Sequence, residues 1–123
     1  MLSFISLTAC CQSGVVMTSS FRIDRFKFPA EHRTALLEAV AATHEVLRTQ
    51  SGFLRDMIAE RTHADGRIEV QTMVEWDATA DIPAIKARVK EAQRARAFDT
   101  AAALASWGAE ADLGWWSEVQ TPS

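Results

Sequence analysis

Arg67-Ile68-Glu69-Val70-Gln71-Thr72-Met73-Val74-Glu75-Trp76 alternates without a break. Ile68, Val70, Thr72, Val74 and Trp76 share one side of an extended chain, and Glu69, Gln71, Met73 and Glu75 share the other. The pattern predicts a strand with one core face and one amphipathic face. Upstream, residues 53–62 read as a second strand, and Ala64-Asp65-Gly66 turns one into the other as a hairpin. Gly52 precedes that strand as the C′ residue of a helix over residues 30–49, whose apolar stripe is Leu37, Val40, His44 and Leu47, widened by Leu36. The stripe places a histidine on the buried side. Pro29 separates this helix from a first strand over residues 15–28. In that strand Phe21 and Ile23 lie in one phase and Phe26 and Phe28 in the other, which predicts a bulge at Asp24-Arg25. Downstream, Asp81 caps a second long helix with the stripe Ile82, Ile85, Val89 and Ala92, and Pro83 fits its first turn. Asp99 caps a short alanine-rich helix that runs to Ser106 and ends at Trp107-Gly108. A last strand over residues 113–120 puts Trp115 and Trp116 on opposite faces.

The order β, α, β, β, α, β defines an α+β domain of the ferredoxin-like class, with an antiparallel sheet and an extra short helix before the last strand. Two crossover helices cover one face of such a sheet and leave the other open. Met73, one of the terminal tryptophans and part of the split set in the first strand fall on the open side, so a symmetric homodimer is the expected arrangement. A monomer with a mixed open face is the alternative.

The 123 residues suit one domain, and 48% hydrophobic with 24% charged residues is an ordinary globular composition. A net charge of -3 argues against a nucleic-acid partner, and no run is apolar for long enough to span a membrane. Cys10 and Cys11 are adjacent, which rules out a framework of long-range disulfides and points to a cytoplasmic setting. Residues 1–16 carry no charge and are read as a loose extension, or as the product of an upstream start, with the domain occupying residues 17–123. Leu7-Thr8-Ala9-Cys10 looks like a lipoprotein cleavage box, but the stretch before it lacks Lys and Arg and is too short for a signal peptide.

Phe26-Lys27-Phe28-Pro29, then Thr43-His44, Ser51-Gly52-Phe53 and Val74-Glu75-Trp76, in that order and spacing, resemble the antibiotic-biosynthesis monooxygenase (ABM) superfamily. The stretch Gly108-Ala109-Glu110-Ala111-Asp112-Leu113-Gly114 is similar to the close of an uncharacterised branch. The resemblance implies a dimeric α+β barrel with a pocket between the sheet and the helices of each subunit. Members include cofactor-free oxygenases of electron-rich phenols and quinols, haem-degrading enzymes, and proteins with no established activity. This chain has no Tyr and no Asn. The haem-degrading branch uses Asn with Trp and His, so haem is not expected as a cofactor. The polyketide-quinone branch combines Tyr, Asn, Trp and Arg, and half of those types are absent. Many members carry histidines in the helix after the Glu-x-Trp strand. Here that helix reads Ala84-Ile85-Lys86-Ala87-Arg88-Val89-Lys90-Glu91, with none.

Among candidate site residues, His44 is the natural base near neutral pH, and its bland reading is a core histidine bonded to a carbonyl or carboxylate. Trp76 forms either a wall for a flat substrate or ordinary aromatic packing. Arg22 and Asp24 share a strand phase opposite Phe21 and Ile23, so they face outward or line a dimer interior. They form a solvated ion pair, or Arg22 stabilises an enolate or phenolate as it develops. Asp56 and Glu75, on neighbouring strands, are candidates for a buried acid pair at the substrate. His32 and His63 are expected in solvent, one of Trp107, Trp115 and Trp116 in a subunit interface, and the run Lys86, Arg88, Lys90, Arg94, Arg96 on a solvated helix face. No metal-ligand spacing and no glycine-rich phosphate loop is present. The expected function is a cofactor-independent monooxygenase of the ABM type acting on a small, electron-rich, phenol- or quinol-like substrate, with dioxygen as co-substrate. The alternative is a non-catalytic dimeric module that binds a small ligand or serves a stress response. A cavity of several hundred cubic ångströms touching His44 favours the first, and a closed apolar interior the second.

Overall fold

The computed structural model describes residues 19–122. The expected extension over residues 1–16, and the start of the first strand at Val15, lie outside the described residues. Strand β1 is Ser20–Phe28, β2 Phe53–Thr62, β3 Ile68–Trp76 and β4 Glu110–Ser117. They form one antiparallel sheet in the order β2-β3-β1-β4. Helix α1 (Arg33–Leu47) follows a 3₁₀ turn at Ala30–His32, α2 is Ile82–Ala95, and α3 is Thr100–Ser106. This is the ferredoxin-like α+β arrangement that the order of the elements predicts.

Strand β1 departs from expectation. It pairs with β3 in unbroken register from Ser20 opposite Trp76 to Phe28 opposite Ile68, with no bulge at Asp24-Arg25. Its two apolar phases serve two faces. Phe26 and Phe28 point toward the helices with Val70 and Ile68, whereas Phe21 and Ile23 point to the open face with Glu75 and Met73. The irregularity sits instead in β2, between Phe53 and Arg55. Strand β4 begins three residues earlier than expected because Gly108, at φ 64°, closes α3 and delivers the chain directly into the sheet.

The caps divide in the same local way. The Asp81 carboxylate accepts from the Ala84 N–H at 3.1 Å, satisfying a free donor of α2, but Asp99 makes no side-chain bond at the start of α3. Helix α2 ends in a Schellman turn, with Phe98 N–H donating to Gln93 O and Ala97 N–H to Arg94 O. Ala97 occupies the left-handed position, at φ 53°.

Two apolar clusters hold the helices to the sheet. Phe28, Leu36, Ile68 and Val70 form one, against which Val40, Leu104 and Trp107 pack. Val74, Trp76 and Ile85 form the other, with Leu47, Phe53 and Ile82. Thr72 separates them along β3, between Val70 and Val74, and is itself buried. A polar strip therefore crosses the middle of the covered face. Among the described residues no helix is long and apolar enough to cross a membrane.

Candidate functional site

The polar strip opens into a cavity of about 510 Å3 between the sheet and the helices. Successive rows of the sheet form its floor. Asp24 stands opposite both Thr72 and Leu113, and Arg22 opposite both Val74 and Trp115. Asp56 continues the second row on β2, beyond Val74, but it does not itself line the cavity, so it stands behind His44 rather than at a substrate as expected. The row Asp56, Val74, Arg22, Trp115 thus crosses all four strands, with Asp56 and Arg22 about 10 Å apart at two strand spacings. Helix α1 contributes His44 and Leu47 to the wall, and α2 contributes Ile85 and Val89.

His44 is 4% exposed, and its Nδ1 lies 2.8 Å from Asp56 Oδ2. Beside an ionised carboxylate the neutral ring carries its proton on Nδ1, which leaves the lone pair on Nε2. Nε2 has no hydrogen-bond partner among the described residues, and the ring is part of the cavity lining. Asp56 also accepts two bonds from Arg48, at 3.0 Å to Nε and 2.7 Å to Nη2. Burial is the largest single influence on the Asp56 carboxyl and pushes its pKa up. The hydrogen bonds from Arg48 and His44 together outweigh it and hold the carboxyl below its ordinary range, so Asp56 is an anion at neutral pH.

Arg22 and Asp24 face inward, onto the cavity, rather than outward or into a dimer interior. Arg22 Nε donates to Asp24 Oδ1 at 2.7 Å, and its guanidinium lies 5.5 Å from the centroid of the Trp115 ring. Asp24 also accepts from the Gly114 N–H. These contacts fix the plane of the guanidinium, and both its terminal nitrogens remain without partners among the described residues. Trp76, 2% exposed, combines its two readings, since it packs edge-on against Phe53 at 5.8 Å and still lines the cavity.

Glu75 requires a correction. Val74 points to the cavity, so its neighbour Glu75 points to the open face, where Arg55 donates to it at 2.6 Å. Glu75 and Asp56 are on opposite sides of the sheet and form no acid pair. His63 is not fully in solvent either, since it is half-buried against Glu69 at 2.9 Å. The basic run on α2 divides as well: Lys86 and Lys90 line the cavity, whereas Arg94 pairs with Glu91 and Arg96 lies over Phe98. The partnership of His44 with Asp56 was missed because the residues are twelve apart on a helix and the following strand. The signal was in the sequence, since the buried helix stripe and the inward phase of β2 both point into one interior.

Neither a family model nor a curated protein is significantly similar to the chain. Solved structures are. A candidate monooxygenase from Shewanella loihica PV-4 superposes with a TM-score of 0.59 at 16% identity, over 87% of this chain and 100% of that one. A dimeric ferredoxin-like protein from an uncultured marine organism gives 0.62 at 14%, over 85% and 99%. SnoaB, a cofactor-independent oxygenase from Streptomyces nogalater, gives 0.50 at 19%, over 85% and 96%. At such identities the likeness is one of fold, and the chain has the ferredoxin-like fold that its resemblance to the ABM superfamily implied.

Proposed function

We propose that the protein is a cofactor-independent monooxygenase for a flat, electron-rich phenol- or quinol-like substrate held in the cavity. The observation that carries this reading is His44, backed by Asp56 at 2.8 Å, on the wall of a cavity large enough for such a molecule. His44 Nε2 takes a hydroxyl proton from the substrate, a role worth about 10² to 10⁴ in rate. Asp56 holds the ring in position and stabilises the imidazolium. The free terminal nitrogens of Arg22, across the floor, stabilise the phenolate or enolate that forms. Trp76 and Trp115 enclose its ring system. The electron-rich anion then reduces dioxygen directly. At an activated methylene carbon the reaction balances without an outside reductant: the methylene and one molecule of dioxygen give a carbonyl and one molecule of water. One oxygen atom enters the product, and the other leaves as water with the two hydrogens of the methylene.

Homodimerisation through the open sheet face belongs to the same proposal. Met57 and Trp116 on that face are 48% and 58% exposed, beside Phe21, Ile23 and Met73, an apolar strip suited to a second copy. One solved neighbour is a dimeric ferredoxin-like protein. The domain occupies residues 17–123 in this reading, and the setting is cytoplasmic.

Oxygen consumption with a panel of hydroxylated anthrones and naphthoquinols, wild type against His44→Gln, tests the reaction. Glutamine keeps a donor for Asp56 and has no basic nitrogen. Equal uptake by the two proteins removes His44 from the mechanism, and no uptake by wild type with any member of the panel supports the non-catalytic binding module instead.

A further inference from the structure

Lys86 and Lys90 distinguish this cavity from a purely apolar one. Six residues of α2 line it: Ile82, Ile85, Lys86, Val89, Lys90 and Gln93. Their spacings of three, one, three, one and three define a single stripe, and each lysine follows an inward aliphatic by one residue, about 100° around the helix. That position lays the methylene stems along the apolar wall and leaves the ammonium groups exposed at its edge. The two lysines are one helical turn apart, an arrangement of like charges that disfavours the helix unless an anion lies between them.

The charges around the cavity do not cancel. Arg22 and Asp24 neutralise each other at 2.7 Å. Neither Lys86 nor Lys90 has an ion-pair partner among the described residues. Of the other cations of this run, Arg94 is paired with Glu91, Arg96 is stacked over Phe98, and Arg88 lies in a separate groove with Glu45 and Glu91. The lysines thus leave a local positive surplus in a chain whose net charge is -3. The same cavity is lined by the aromatic side chains of Trp76, Phe98, Trp107 and Trp115.

We propose that the cavity takes an aromatic carboxylate, its ring system among the tryptophans and its anionic group between Lys86 and Lys90. This rests on the reading of the cavity as the reaction site and narrows the substrate class within it. The carboxylate also sets direction, because anchoring one end of the molecule at α2 decides which hydroxyl reaches His44.

Isothermal titration with 2-naphthoate, 2-naphthol and 2-naphthylmethylammonium tests the inference on the intact wild-type chain and on a Lys86→Gln, Lys90→Gln variant. Both lysines are surface-exposed, so the variant keeps the fold. Wild type should bind naphthoate about tenfold or more tightly than naphthol, a preference that shrinks as salt is raised and disappears in the variant. Equal affinity for naphthoate and naphthol in wild type, a preference for the ammonium compound, or a preference for naphthoate that survives the double substitution overturns it. Naphthol binding that is the same in both proteins leaves the cavity as an aromatic site, so failure of the carboxylate inference is separable from failure of the oxygenase reading. Absence of binding by all three compounds overturns both.

Discussion

Replacing Asp56 with alanine removes the acceptor shared by His44 at 2.8 Å and by Arg48 at 3.0 and 2.7 Å. Burial makes these partners unequal, because the side chain of His44 is 5% exposed, that of Asp56 15% and that of Arg48 52%. Arg48 finds water when released, and exposed pairs of this kind contribute about 0.2–1 kcal/mol. The buried Nδ1–H of His44 has no such replacement, and stranding it costs about 1–3 kcal/mol. Asp56→Ala should therefore lower stability by about 1–4 kcal/mol near neutral pH. Urea unfolding gives the total, and double-mutant cycles divide it. The cycle of Asp56→Ala with His44→Ala, which unlike His44→Gln leaves no donor for Asp56, should show a coupling above about 1 kcal/mol, and the cycle with Arg48→Ala one below that. The acid dependence has a definite sign. The Asp56 pKa is depressed from its ordinary 3.8, so its contribution is fully present above that value and is lost as pH falls through the lower folded value. The gap between wild type and Asp56→Ala should narrow in strong acid. In the proposed reaction Asp56 acts only through His44, so the Asp56→Ala, His44→Gln variant should be no slower than His44→Gln alone. A coupling to Arg48 as large as that to His44, or rate losses that multiply, would refute this account.

Gly52 has φ +93°, and an added Cβ would lie 2.6 Å from the Ala80 Cβ and 2.8 Å from its Cα, so Gly52→Ala should cost about 2–4 kcal/mol in urea unfolding. A loss under about 0.5 kcal/mol would show that the two loops separate freely. The Schellman turns of α2 and α3 make a matched pair, with Ala97 at φ 53° in one and Gly108 at φ 64° in the other. Ala97→Gly should stabilise by about 0.5–1 kcal/mol and Gly108→Ala should destabilise by a similar amount, opposite signs that the same measurement checks. Analytical ultracentrifugation should find a dimer for wild type and a monomer for Trp116→Lys, which places a charge on the open face. A sharp monomer peak for wild type defeats the dimer.

What could be read from the sequence depended on whether a residue's neighbours are local. The alternation from Ile68 to Trp76 and the stripe that buries His44 follow from period, the Asp81 cap from the chemistry of one side chain, and the structure has all three. Strand β1 misled because its apolar residues divide between two faces, and a period-two pattern that changes phase looks the same whether the chain bulges or buries both sides in turn. Glu75 was misplaced despite a legible phase. It is one residue from Val74, and in a strand one residue is the other face. By charge pattern Lys86 and Lys90 belong to a uniform basic helix face, and only the width of the cavity shows how much of α2 it reaches. The ion pairs that separate Arg94 from those lysines are set by partners the charge pattern does not specify.

The absence of Tyr and Asn changes the proton traffic of the proposed reaction without forbidding it. A single base is enough if it works in both directions. His44 first accepts the hydroxyl proton, and the substrate anion, after adding dioxygen at the activated carbon, becomes a peroxide anion that takes this proton back. The neutral ring then removes the remaining hydrogen of that carbon as a proton while the O–O bond breaks, and the departing hydroxide leaves as water with the proton His44 holds. Each transfer uses Nε2, so the ring must keep its orientation while its charge alternates. The contact with Asp56 suits that demand, since it remains a hydrogen bond in either state and strengthens when the ring is charged. Arg48 in turn keeps Asp56 ionised throughout. In the proposed reaction, one base held rigidly enough to serve twice needs no second titratable group beside it.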